Sequence, residues 1–136
     1  KHPAFNYKFD AIVYCVTSAL GFAAIENVLY CLGGDFGTAV TRALLSVPSH
    51  AIDGVIMGYF FGVEKEAELA GDKKRRKRYL KLSVFMPMIE HGIYDSALSL
   101  DADWIFVFFF LFVIVVDVWA YKFVKKQSGQ DRELSA

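Results

Sequence analysis

The 136-residue sequence has little cysteine, little proline and, over most of its length, little charge. Its two cysteines, Cys15 and Cys31, lie 16 positions apart in one apolar segment, too far along a helix for a disulfide within it. We expect both to be small buried apolar side chains. Of 30 charged residues, 12 fall between residues 64 and 81, and the formal net charge is zero. Bulk electrostatics therefore give no indication of a nucleic-acid partner.

The sequence is instead rich in hydrophobic residues. Hydrophobic residues make up 55% of the chain and aromatic residues 16%, against a usual apolar share of about 45–50%. A chain of this length that folds in water hides only about two-thirds of its surface. The apolar surplus therefore indicates a lipid environment.

Four apolar segments are about long enough to cross a hydrocarbon core of roughly 30 Å. They are residues 10–32, 38–63, 79–100 and 104–123. A glycine-rich turn at 33–37 separates the first two, and Pro48 predicts a bend beside His50 in the second. The fold class is therefore all-α: a polytopic membrane helix bundle of about four transmembrane helices over residues 1–126, followed by a polar tail at 127–136.

Basic residues predict the orientation of this bundle, because short loops rich in Lys and Arg stay in the cytoplasm. The two ends and the middle loop hold the lysines and arginines, whereas the opposite loops hold only acids. We expect both termini and the basic loop 64–78 to be cytoplasmic, in a bacterial-type cytoplasmic membrane. The loop can then contact anionic lipid heads.

Ionisable residues inside the spans need an explanation, since each raises the free energy of membrane insertion by at least about 2.5–3.5 kcal/mol. His50 and His91 lie near the centres of their spans, and Glu26 and Asp95 lie about five residues outward, roughly 7 Å at the helical rise. Helical spacing also places Asp53 on the same face as His50. Four of these groups thus occupy one narrow slab of the bilayer.

Two kinds of hydrolytic chemistry suit such a set. Imidazoles and carboxylates on facing helices could hold a divalent metal such as zinc, which activates water. Without a metal, a buried glutamate could act as general base toward water. Two alternatives remain open: a proton- or cation-coupled transporter or channel subunit, and a non-catalytic membrane scaffold whose polar pairs only hold helices together.

Three blocks of the sequence resemble a known family. Residues 21–30, which contain Glu26-Asn27, resemble the glutamate-asparagine motif of the PrsW family of intramembrane proteases. Pro48-Ser49-His50-Ala51 resembles the family's second, histidine-bearing helix, and residues 91–95 (His-Gly-Ile-Tyr-Asp) resemble its third. The resemblance covers roughly residues 8–98, in order and on separate predicted helices.

The resemblance implies a polytopic membrane protease classed with metallopeptidases and distantly similar to the CAAX prenyl endopeptidases. It implies a membrane-anchored protein as substrate, since the family's named member makes the first cut in a membrane-bound anti-sigma factor. Carried over by position, it makes Glu26, His50 and His91 the candidate catalytic residues and ligands of a metal, with zinc the expected ion. Asn27 and Asp95 would support them, and Asp53, beside His50, is a further supporting candidate.

One motif of the family is missing. The family carries a paired Glu-Glu motif on a helix just upstream of the region of Asp10, and this sequence begins at Lys1 without such a pair. We therefore expect the chain to be either a fragment without its first helix or helices, or a divergent member.

Overall fold

A computed structural model describes residues 4–98 and 103–134. Within these ranges the chain is helical apart from turns, the ends and one isolated bridge between two extended residues, which confirms the predicted all-α class. The elements are α1 (Asp10–Gly33), α2 (Phe36–Thr41), a π-helical turn (Arg42–Ser46), α3 (Val47–Leu69), α4 (Lys73–Leu98) and α5 (Asp103–Gly129).

Three of the described helical stretches are long and apolar enough to cross a membrane: Asp10–Gly33, Phe36–Leu69 and Val107–Gly129. α4 is a fourth long helix, but it is less apolar because its first turns carry the basic run 73–78. The span predicted at 79–100 lies on α4, and its last two residues fall outside the described ones. The polytopic helical bundle is thus confirmed.

α3 is the central helix of the bundle. In the most apolar part of Phe36–Leu69, 44% of the residues are buried, against 11% for α1 and 17% for Val107–Gly129. α1 and α4 both pack along α3, while large apolar side chains of α1 and α5 stay exposed, among them Leu29 and Phe108. Exposed apolar faces of this extent suit lipid. Cys31 is exposed on α1, so the expectation that it is buried is wrong.

Glycines allow α1 to approach α3 closely. A Cβ atom built on Gly58 would lie 2.4 Å from the Cα of Ile12, and one on Gly54 would lie 2.6 Å from the Cα of Val16. Together with Gly62, these positions form a four-residue ladder of the kind that packs membrane helices. The two backbones therefore touch, which fixes α1 against the face of α3 that carries the candidate site.

The turn between α1 and α2 is shorter than the predicted 33–37. Asp35 caps α2: its carboxylate accepts hydrogen bonds from the Thr38 backbone N–H (2.8 Å) and hydroxyl (3.0 Å). These bonds hold the pKa of the Asp35 carboxyl below its ordinary value. α2 then runs through the π-helical turn into α3 as one helical stretch.

The segment predicted as a loop at 64–78 is mostly helical. α3 continues to Leu69 and α4 begins at Lys73, so the connection is only 70–72, where Gly71 has a φ of 70°. Opposite charges stabilise the two helix ends, because Arg76 of α4 contacts Glu64 of α3 at 2.8 Å. A charged segment need not be a loop when its charges pair across two helices.

The two ends of the described chain lie together. Glu66 near the end of α3 pairs with both Lys8 and Arg132, and Asp131 accepts a hydrogen bond from the Phe9 backbone N–H at 2.9 Å. The segment predicted as a polar tail at 127–136 is helical to Gly129, and residues 131–134 beyond it contact the N-terminal segment and the end of α3. The two termini of the described chain lie at the same end of the bundle, as expected for an even number of membrane crossings. Their cytoplasmic location stays a prediction.

Candidate functional site

Three helices bring the candidate site residues together. Glu26 of α1 lies against His50 of α3, with 2.9 Å between Oε2 and Nε2. His91 of α4 lies beside His50, their ring centroids 5.1 Å apart, and its Nδ1 is 2.9 Å from Oδ2 of Asp53 on α3. His50 is 4% exposed. A continuous row of polar groups thus runs from Glu26 to Asp53 inside the bundle.

Asp53 sets the orientation of the His91 ring. An ionised carboxylate only accepts hydrogen bonds, so this contact with Asp53 uses a proton on Nδ1 of His91. A carboxylate behind a histidine in this manner is the usual support of a metal-ligating imidazole. Asp95, one turn further along α4, lies 3.5 Å from His91 Nε2 through its Oδ2, so the predicted supporting acid is at the site.

Arg42 holds Glu26 in place. Its guanidinium donates from Nη2 to Glu26 Oε2 at 2.7 Å and to Ser46 Oγ at 3.1 Å, and from Nε to Asn27 Oδ1 at 2.7 Å. It also lies over the ring of Tyr30 at 3.9 Å. Asn27 therefore contacts the site through Arg42. Arg42 and Tyr30 are not among the candidate residues predicted from the sequence, and together with Asn27 they complete the network around Glu26.

The π-helical turn at Arg42–Ser46 makes this network possible. The Val47 backbone N–H donates to the carbonyl of Arg42, five residues earlier, so one extra residue is accommodated in the helix directly before Pro48. Proline has no N–H to donate and its ring crowds the preceding turn; a wider turn relieves both problems. Pro48 predicted a bend beside His50; the structure has a π-helical turn directly before Pro48, a feature that is frequent at functional sites.

Two further acidic residues lie near the candidate site. Glu90 of α4 lies near Asp53 of α3 and near Asp117 of α5. Neither Glu90 nor Asp117 is among the candidate site residues predicted from the sequence.

The His50–His91 pair separates two cavities. A polar cavity of about 420 Å³ is lined by Glu26, Arg42, Ser49 and Asp95 as well as by both histidines. An apolar cavity of about 570 Å³ lies on the other side of the pair, between α1 and α4, with Phe22, Met57 and Met88 among its lining residues. Both histidines are therefore accessible from a water-compatible side and from an apolar side.

The donor atoms of His50, Asp53 and His91 lie within 4.8 Å of one another, close enough to hold one metal ion. Two imidazoles and a carboxylate are a donor set typical of catalytic zinc. Asp53 Oδ1 is buried and has no hydrogen-bond partner, so it is free to coordinate. The residues present thus fit a metal. The sequence-based set had Glu26 in the place of Asp53; Glu26 contacts His50 but lies outside this trio.

Arg42→Lys tests the network around Glu26. We expect the free energy of unfolding to fall by about 1–3 kcal/mol, because lysine cannot reproduce the forked hydrogen bonds or the stacking on Tyr30. Arg78→Lys, at an exposed arginine near the start of α4, is the control and should change stability by no more than about 0.5 kcal/mol. Unfolding in a mixed-detergent titration measures both; equal effects would contradict the role given to Arg42.

Comparison with known proteins gives one consistent result. Residues 1–121 match the family model described as PrsW family intramembrane metalloprotease. Proteins named Protease PrsW are 48% identical in Halalkalibacterium halodurans and 43% identical in Bacillus subtilis, over 74% and 77% of this chain. A third, from Clostridioides difficile, is 34% identical over 79% of the chain. No solved structure matches.

The matched region covers 44%, 46% and 45% of these three relatives, so the chain spans less than half the length of each. The family model nevertheless covers all three residue blocks that carry the resemblance and every helix that contributes to the polar row. The chain therefore belongs to the PrsW family of intramembrane metalloproteases.

Proposed function

We propose that this chain contains the site of an intramembrane protease that hydrolyses a peptide bond in a membrane-anchored protein. The observation that carries the proposal is the meeting of Glu26, His50 and His91 from three helices, at the wall between a polar and an apolar cavity. Hydrolysis needs water and a peptide at the same atoms, and this arrangement offers an approach for each.

The two cavities suggest how the reactants arrive. The apolar cavity opens between α1 and α4, where Phe22 and Met88 can contact an apolar stretch of a substrate that lies in the bilayer. The polar cavity on the side of Glu26 can hold water, since it is roomy and offers several polar partners. By analogy with the family, the substrate is a membrane-anchored regulator of the anti-sigma-factor kind.

Glu26 is the proposed proton acceptor. Arg42 and His50 both contact its Oε2, which fixes the carboxylate at the edge of the polar cavity. Held in this way, Glu26 takes a proton from water as the water attacks the peptide carbonyl, and returns it to the leaving amine. Asn27 supports this step by orienting Arg42, and Asp53 and Asp95 keep the His91 ring in place.

A divalent metal, with zinc the proposed ion, would be held by His50, His91 and a carboxylate. When bound it would supply Lewis acidity, which polarises a carbonyl and makes water a better acid. Either Asp53 or Glu26 can provide the carboxylate. If Glu26 is the ligand, Asp53 acts only by orienting His91.

Metal content tests this part of the proposal. We expect near-stoichiometric zinc in the detergent-purified protein and its loss in both His50→Ala and His91→Ala, because each removes one imidazole ligand. Asp53→Asn separates the two roles of that residue: loss of metal indicates a ligand, whereas an affinity only about 10–100-fold weaker indicates support of His91. Glu68→Ala, at the end of α3, is the control that should keep the metal.

Three outcomes would contradict part or all of this proposal. Metal-free protein that still cleaves a membrane peptide would overturn the zinc proposal and keep Glu26 as base. No cleavage, together with proton or cation flux in proteoliposomes, would favour the transporter, in which these groups relay ions. Neither activity, with lower stability of the Glu26 and His91 variants, would favour a scaffold.

The proposed location is the bacterial cytoplasmic membrane, with both ends of the chain and the basic run 73–78 in the cytoplasm. The meeting of the N-terminal segment, the end of α3 and the segment after α5 around Glu66 supports ends on one side. The exposed lysines and arginines at the start of α4 would then face anionic lipid heads.

A further inference from the structure

Ser49 carries a buried hydroxyl without a hydrogen-bond partner. The residue follows Pro48 and precedes His50 on α3, is 4% exposed, and its Oγ forms no hydrogen bond within the described chain. A buried hydroxyl without a partner is costly, and such groups are rare in native proteins. The position of this hydroxyl beside His50 therefore indicates a ligand that accepts a hydrogen bond from it.

The ordinary way to satisfy a helical hydroxyl is not used here. Serine and threonine in a helix often donate to a carbonyl three or four residues earlier, and two residues of this chain do so. Thr17 donates to the carbonyl of Val13 and Ser83 to that of Leu80, each at 2.8 Å. The corresponding carbonyls for Ser49 belong to the π-helical turn, where the regular spacing is broken. The Ser49 hydroxyl therefore has no acceptor on its own helix.

The polar cavity that Ser49 lines contains both acceptors and donors. Glu26 and Asp95 carry acceptor oxygens, and the guanidinium of Arg42 is already engaged by Glu26, Asn27 and Ser46. Hydroxyl groups of Tyr30, Thr41 and Tyr94 also belong to lining residues, but Ser49 is the hydroxyl residue directly beside His50 in the chain. Three buried side-chain atoms lack a partner in the part of the chain that the structure describes. Two of them are carboxylate oxygens, so the Ser49 hydroxyl is the one among the three that always has a proton to donate.

We infer that the Ser49 hydroxyl donates a hydrogen bond to the carbonyl oxygen of the peptide bond that is cleaved, and so stabilises the negative charge that develops there. The inference rests on the proposed function. Water oxygen bonds to the carbonyl carbon while the C=O electron pair moves to the oxygen facing Ser49, and the water proton passes to Glu26. The C–N bond then breaks as the carbonyl re-forms, and the proton moves from Glu26 to the amine nitrogen. Ser49 keeps its own proton throughout.

The test compares Ser49→Ala, Ser49→Thr and Ser83→Ala in cleavage of a membrane-spanning peptide in proteoliposomes. Loss of one oxyanion donor typically lowers kcat by about 10²–10³-fold, so we expect a fall of about 100-fold in Ser49→Ala with KM changed less than about twofold. Ser49→Thr keeps the hydroxyl and should recover most of the rate. Ser83→Ala removes a buried hydroxyl that is bonded to its own helix and lines neither cavity, and it should keep wild-type kcat.

A binding measurement adds a readout that a structural role would not change. A phosphinic analogue of the peptide carries a charged tetrahedral oxygen, and Ser49→Ala should weaken its binding by about the factor lost in kcat. Binding of the uncleaved peptide should stay unchanged, and the Tm should stay the same or rise, because the variant removes an unpartnered buried hydroxyl. Wild-type cleavage with unchanged kcat in Ser49→Ala would overturn the role of Ser49 alone. A lower Tm without rescue by threonine would also overturn it. A wild-type protein that cleaves no peptide would overturn the proposed function and this role together.

Discussion

Glu26→Gln is expected to lower the rate of peptide hydrolysis by between about 10² and 10⁴-fold, the range for loss of a general base. Glutamine has nearly the same size and can still accept a hydrogen bond from Arg42 or donate one to a neighbour. It cannot take a proton from water. The variant therefore removes the proposed chemistry while it preserves much of the packing between α1 and α3.

The measurement is single-turnover cleavage of a membrane-spanning peptide, with thermal unfolding of each variant as a parallel readout. Glu68→Gln, which removes a charge from the end of α3 near Lys65 and Arg76, is the matched control and should cleave at the wild-type rate. Full activity in Glu26→Gln would exclude Glu26 as the base. Loss of activity with a collapsed Tm would indicate that the charge of Glu26 mainly balances Arg42.

Gly58→Ala is expected to give the largest loss of stability among single substitutions outside the polar row. The new methyl group would lie 2.4 Å from the Cα of Ile12 and 2.7 Å from the carbonyl oxygen of Ala11. Both are backbone atoms that no side-chain rotation can move, so α1 must shift away from α3. Overpacking of a fixed contact costs about 1–3 kcal/mol and occasionally more, and here we expect the upper end.

Gly21→Ala is the matched control, because a Cβ at Gly21 meets nothing within 4 Å. Alanine in place of an unneeded helical glycine should keep stability or raise it slightly. The free energy of unfolding in mixed detergent gives both values. Since the shift of α1 also carries Glu26 away from His50, Gly58→Ala should lose cleavage activity as well. Equal stability of the two glycine variants would refute the close approach of α1 and α3.

Hydrophobic periodicity and length were enough to predict the helices, because membrane spans need long apolar runs. Charge was a less reliable guide. The segment 64–78 was expected to be a loop because it is polar, yet Arg76 and Glu64 pair between two helix ends. A run of charged residues in a sequence indicates a polar environment, but it does not show which of the charges pair after the chain folds.

The sequence was enough to predict which helices contribute to the candidate site, but not which of their side chains contact one another. Ionisable residues in spans indicated Glu26, His50, His91 and Asp95, since such residues need a reason to be there, and the family resemblance made the first three the catalytic candidates. The tight group that Asp53 forms with both histidines is visible only in the folded chain. Ser49 stands in the second block of the resemblance, but nothing in the sequence singles out its hydroxyl, because only the missing partner distinguishes it.

The π-helical turn before Pro48 also makes the chain tolerant of a change in length at one place. A π-helical turn holds one residue more than an α-helical turn, so deleting one residue between Arg42 and Ser46 would restore a regular helix without rotating the residues on either side. Arg42 would then stay near Glu26 and Asn27, while His50 and Asp53 would keep their positions. The same deletion in a regular stretch of α5 would rotate everything beyond it by about 100°. Homologous chains that keep the arginine and the histidine can therefore differ by one residue in this segment.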